Sequence, residues 1–149
     1  MTGKALALTA ALIACASPAS AADVDGFWRG PIRNVVVHVE ACGEAICGYI
    51  ITSDRLKVIP DLKDEKNKDA KLRTRPVKGL ALFYDLKGGP PKWSGGSIYN
   101  PDDGNTYKGS VELVANDTLV LKGCALVILC KSQKWVRLPN ADAAPADNR

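Results

Sequence analysis

Histidine is almost missing from this chain: His38 is the only one in 149 residues. It is therefore the sole side chain with an unperturbed pKa near neutrality, and a histidine-built metal centre has no second ligand to call on. No G-x-S-x-G elbow or comparable nucleophile signature is present. No stretch carries the apolar period of a long helix. The one sustained apolar run, Ala5–Ala16, falls short of the about 20 residues that a membrane-spanning helix needs. A large charge excess is also lacking. The formal net charge is +4, and removing Lys4 with a leader would leave +3, too mild a balance to imply nucleic acid.

What is present begins with that leader. Lys4, the apolar run and the small-residue stretch Ser17-Pro18-Ala19-Ser20-Ala21-Ala22 have the layout of a secretory signal peptide. Cleavage is expected after Ala21, so residues 1–21 are lost and the mature protein is periplasmic. A rival reading rests on Leu12-Ile13-Ala14-Cys15, which resembles the bacterial lipoprotein box; acylation of Cys15 would anchor the chain to the outer membrane. Residues 22–138 are long enough for one domain with a modest core. The tail, residues 139–149, is Ala, Asp, Asn and Pro with a final Arg, a composition expected to stay disordered.

Four cysteines remain after cleavage: Cys42, Cys47, Cys124 and Cys130. An even count in an oxidising compartment argues for disulfides, with three possible connectivities. Each of the pairs Cys42–Cys47 and Cys124–Cys130 straddles a short turn-like segment, and these are the expected bridges. Each would stabilise the fold by about 2–4 kcal/mol, toward the low end because the closed loops are short. Their spacings are not the C-x2-C of zinc ribbons, and bridged sulfurs leave no thiol nucleophile.

The stretch Trp93–Gly109 organises the rest. Two runs carrying Trp, Ile and Tyr flank Asn100-Pro101-Asp102-Asp103-Gly104. Pro sets φ for a turn corner, Asn and Asp bond their own backbone, and Gly takes a positive φ. This predicts a tight β-hairpin, with Gly95 and Gly96 marking a bulge or a close backbone approach. Upstream, Val35, Val37 and Val39 alternate with Val36, His38 and Glu40, the period of a strand. The Cys42–Cys47 turn reverses the chain into Ile46–Ile51. From Ser53 to Lys78 the sequence is dense in charge and predicts a long loop with at most one helical turn. Strands resume at Gly79–Asp85 and continue to Leu138 with turn residues every 8–12 positions. Eight or nine short strands joined by hairpins predict an all-β, antiparallel up-and-down barrel.

Together these motifs resemble a known family. Gly26-x-Trp28, Cys42-Gly43-x-x-x-Cys47-Gly48, Arg73-x-Arg75-Pro76 and Trp93-x-Gly95-Gly96-x-Ile98-Tyr99-Asn100-Pro101 look like the bacterial domain-of-unknown-function family 2147. Gly104-x-Thr106-Tyr107, Gly123-Cys124 and Cys130-x-x-Gln133-x-Trp135-x-Arg137 extend the likeness across the mature domain. The resemblance implies a small exported β-barrel of lipocalin-like fold in a Gram-negative periplasm. It implies no particular activity.

Several residue groups carry candidate chemistry. His38 is an acid–base candidate for an enzyme, or equally a residue on the wet face of its strand. Asp102, Asp103, Asn100 and Asn105 offer oxygens that a calcium ion could take, although turn chemistry explains all four. Arg73 and Arg75 could hold an anion, or could pair with Asp64 or Glu65 of their own loop. Trp28, Trp93, Tyr99, Tyr107 and Trp135 could fill the barrel or line a pocket at its mouth. The expectation is a monomeric barrel that binds a small amphipathic or acidic ligand through Trp93, Tyr99, Tyr107, Arg73, Arg75 and His38. It would need no cofactor or metal and would not catalyse. A second expectation is an envelope module that docks on a protein or the cell wall through the charged 53–78 loop.

Overall fold

The computed structural model describes residues 23–140. The predicted leader with Cys15 and the stretch 141–149 of the predicted tail lie outside the described residues.

Eight strands form a closed antiparallel barrel in chain order. They are β1 (Gly26–Arg29), β2 (Val36–Cys42), β3 (Ala45–Thr52), β4 (Ala81–Gly88), β5 (Lys92–Asn100), β6 (Asn105–Ala115), β7 (Thr118–Ala125) and β8 (Leu129–Leu138). Each pairs with its sequence neighbour, and β1 closes on β8 with Trp28 opposite Arg137. Closure leaves no sheet edge to aggregate. A short helix α1 (Asp54–Val58) and a 3-10 turn (Ala70–Leu72) interrupt the long β3–β4 connection. Ser53 caps α1, its side chain accepting from the Leu56 amide. No helix among the described residues is long and apolar enough to cross a membrane.

The β2 alternation turns out as expected, with Val37 and Val39 wholly buried and His38 and Glu40 partly exposed. Val36 is buried as well, because Leu138, Phe27 and Ile51 pack against it. The β5–β6 hairpin also forms. Gly104 takes φ 72° against the backbone of Lys66, where any side chain would collide. The ladder slips between Ser94 and Gly96, and Gly96 lies directly on the β4 backbone at Tyr84 and Asp85. Bulge and close approach therefore both occur. The two bridges are Cys42–Cys47 and Cys124–Cys130.

An up-and-down barrel sorts its connections to two ends. The β2–β3, β4–β5 and β6–β7 turns share one end with the chain's entry into β1. The β1–β2, β3–β4, β5–β6 and β7–β8 connections share the other. Entry is sealed by Val24 and Trp28, both with no exposed surface. The Trp28 Nε1 donates to the Val24 carbonyl at 2.8 Å. The Arg137 guanidinium lies 4.2 Å over the Trp28 ring, and its nitrogens donate to the carbonyls of Asn116, Asp25 and Asp23. This end is shut by packing and by a fully employed arginine.

Candidate functional site

The opposite end contains a cavity of about 610 Å³. Its inner wall is mainly apolar, with Ile50, Leu82, Ile98, Leu121 and Trp135 from β3, β4, β5, β7 and β8, and charged residues such as Arg33, Arg55, Lys66 and Asp102 also line it. The strand positions follow mostly from strand period, since alternate residues of each strand must face inward. The β3–β4 connection closes one side by laying Leu62 and Val77 against the core. The charged 53–78 segment is thus a wall of the cavity.

That segment is held by one buried carboxylate. Asp64 has no exposed surface. Its Oδ1 accepts from the Tyr99 hydroxyl at 2.5 Å. Its Oδ2 accepts from Asn67 at 2.8 Å and from Arg75 Nε and Nη2, each at 2.9 Å. Arg75 also lies over the Tyr99 ring at 5.2 Å. Arg73 Nε donates to the Asn67 carbonyl. Both arginines are therefore engaged within their own loop, Arg75 in the pairing with Asp64 weighed from the sequence and Arg73 on a backbone carbonyl instead. Burial of Tyr99, reinforced by the hydrogen bond and charge of Asp64, pushes its phenol up to about 12.

At the rim, Asp102 draws three segments together. Its Oδ1 accepts from Arg33 at 2.6 Å and Arg55 at 2.9 Å, and its carbonyl accepts from Lys66. Asp103 is spent inside the turn, accepting from the Asn105 amide, Asn100 Nδ2 and the Tyr107 hydroxyl. Burial alone would raise the Asp103 carboxyl, but these donors outweigh it and hold it below the ordinary 3.8. Both Asp103 oxygens, the Asn100 side-chain oxygen and Asp102 Oδ1 accept from protein donors, in keeping with turn chemistry. Two lysines at the mouth, Lys63 and Lys131, form no ion pair among the described residues.

Of the residues picked from the sequence, the cavity brings together Tyr99 and Tyr107, and with them Trp135. Trp93 and Tyr99 are six residues apart on β5, which is roughly 20 Å along a strand, and Trp93 is buried near the closed end against Gly89. His38 is on the outer wall, stacked on Phe27 at 4.7 Å, with Glu40 at 3.3 Å and Asp25 at 3.7 Å. Arg73 and Arg75 lie outside the lining, and Arg75 instead edges a separate recess with Tyr84 and Thr106. The lining residues Ile50, Leu82, Ile98 and Leu121 went unselected from the sequence; inward parity could have found Ile50, Ile98 and Leu121, whereas Leu82 adjoins the inward Phe83 at an irregularity of the ladder.

Trp135 has a second property. Its ring lies against Gly30, and its buried Nε1 is the single buried side-chain polar atom without a hydrogen-bond partner among the described residues. A buried donor left unpaired costs about 1–3 kcal/mol.

The sequence matches the family described as "Uncharacterized protein conserved in bacteria (DUF2147)" over residues 26–137. The chain belongs to this family. That span covers the whole barrel from β1 to nearly the end of β8, so the family's shared feature in this chain is the barrel itself. A solved structure of protein HP1028 from the human pathogen Helicobacter pylori, described as belonging to the lipocalin family, is similar to this chain. The TM-score is 0.70 and the identity 25%, over 79% of this chain and 84% of that one. No curated protein matches the sequence. The DUF2147 barrel described here is thus lipocalin-like, with the one-end-open interior that suits small-molecule binding.

Proposed function

We propose that this barrel binds a small amphipathic molecule carrying an acidic or other acceptor group, held in the open end with its apolar part inward. The observation that carries this reading is the cavity of about 610 Å³, within the 300–1,000 Å³ typical of ligand sites. Its wall is predominantly apolar, with Trp135, Tyr99 and Tyr107 among its residues. Lys63 and Lys131 at the mouth favour an anionic group, against one unpaired carboxylate there, Glu65. The acid–base constellation of an enzyme does not assemble in the cavity, whose lining excludes His38. The site of action would be the bacterial periplasm. That reading is supported by the leader-like residues 1–21 and by two disulfides, which persist in oxidising compartments.

Titration with dodecanoate, followed by tryptophan fluorescence and by native mass spectrometry, tests the reading. Saturable one-to-one binding is expected, with Leu121→Trp or Ala125→Trp lowering affinity about tenfold or more by filling the cavity or its mouth. Folded protein that binds neither dodecanoate nor any co-purified small molecule would refute it. The covalent mass of the exported protein tests the location, since an N-terminus at Ala22 or an acylated Cys15 are the two forms expected.

A further inference from the structure

The β7–β8 connection, Leu126-Val127-Ile128, is flanked by Ala125 and Leu129 at the strand ends. These aliphatic side chains should be covered, yet Val127 is 95% exposed and Ile128 86% exposed, with Leu126 and Leu129 exposed beside them. Consecutive exposed aliphatics mark an interaction site. The Cys124–Cys130 bridge closes the base of the loop, so the apolar tip is presented rather than free to fold back. Ala125 and Leu129 at its root also line the cavity mouth, which puts the tip at the open end. Ile32, in the β1–β2 connection at that same end, is exposed too.

Charge indicates what covers this tip. Lys131 follows Cys130 directly, Lys108 is paired across from Cys124, and Lys122 is two residues below it. All three are exposed, and none forms an ion pair among the described residues. A short convex aliphatic tip with a collar of unpaired cations around and just behind its Cys124–Cys130 bridge is complementary to an anionic lipid surface. The side chains enter the acyl boundary while the ammonium groups stay among the phosphates. A stable protein interface would instead take some 20–30 residues a side with matched shape, and this protruding tip offers neither. Insertion needs no shape match.

We propose that the β7–β8 hairpin docks the open end of the barrel onto an anionic phospholipid bilayer, with Val127 and Ile128 inserted and Lys108, Lys122 and Lys131 at headgroup level. Docking in this orientation turns the cavity mouth toward the membrane, so an amphipathic ligand could pass between lipid and barrel without crossing open water.

Co-flotation of the mature chain with vesicles tests this. Vesicles of phosphatidylcholine with one-quarter phosphatidylglycerol are expected to carry the protein, pure phosphatidylcholine vesicles much less, and added salt should release it. The double variant Val127→Asp/Ile128→Asp should bind the anionic vesicles at least about tenfold more weakly, with an unchanged melting curve because neither residue is in the core. Lys108→Glu/Lys122→Glu should remove the preference for anionic vesicles. Failure of the wild-type chain to bind them, or equal binding by the aspartate variant, would overturn the proposal. So would a concentration-dependent dimer that the aspartate variant abolishes while vesicles are ignored, which would assign the tip to a second copy of the chain.

Discussion

The two ends of this barrel use the same kind of residue for opposite purposes. At the closed end, Trp28 and Val24 have no exposed surface, and Arg137 satisfies three carbonyls while covering the Trp28 ring. At the open end, a cavity is left unfilled and a run of aliphatic residues faces solvent. Packing is complete at one end and left incomplete at the other. The contrast teaches that stability and binding are separated along the barrel axis. The end that is packed tolerates little change, and the end that is hollow can be altered with the strands intact.

The largest effect should come from the closed end. Trp28→Ala removes a fully buried indole together with its Val24 hydrogen bond and its contact with Arg137. A loss of about 3–5 kcal/mol is expected in the denaturant midpoint. A loss below about 1 kcal/mol would break the comparison, because the seal would then contribute little.

Next comes the clamp on the cavity wall. Asp64→Ala strands the Tyr99 hydroxyl, Asn67 and Arg75 together. The expected loss is about 1–3 kcal/mol. Amide exchange should quicken chiefly in the 53–78 segment, with the barrel strands still protected. Uniform loss of protection would mean that this segment and the barrel unfold as one unit.

Two titrations sharpen the contrast further. With Tyr99 pushed up to about 12, the folded state holds a proton that the unfolded chain releases near 10. The associated stability is therefore complete below about pH 10 and fades as pH rises toward the folded value. Ultraviolet titration of Asp64→Asn should show this phenol ionising at lower pH, since the neighbouring charge is gone. An unchanged midpoint would assign the whole shift to burial.

The smallest effect belongs to Asp103. Its lowered carboxyl contributes stability above about pH 4, lost as pH falls through the folded value. Asp103→Asn should flatten the acid limb of the melting-temperature curve and lower the neutral value by the small amount that the limb spans. An acid limb identical to that of the wild type would show that the turn does not depend on this charge.

Much of this architecture is legible in local chemistry. Pro101, Gly104 and the flanking Asn and Asp residues specify the β5–β6 turn because they act within five residues of one another. The alternation Val35–Glu40 specifies a strand facing two environments for the same reason, and the short separations of Cys42–Cys47 and Cys124–Cys130 suit local bridges. The pairing of Arg75 with Asp64 was also open to sequence reasoning, since both belong to one loop. The candidate site was far less legible. Its members Ile50, Leu82, Ile98, Leu121 and Trp135 come from five strands, and inward parity alone does not tell a filled level of the barrel from an empty one.

Sequence alone therefore determined the all-β class, the hairpin order, the two bridges and the family, because each depends on residues close in the chain or on motifs read in order. Tertiary structure alone decided which end is closed, where the cavity lies and which aromatics meet there. It separated Trp93 from Tyr99 by the length of a strand and turned His38 to the outer wall. It also left the Val127–Ile128 tip uncovered. Those outcomes depend on barrel closure and strand register, which set side chains distant in sequence next to one another and fix how much space remains between them.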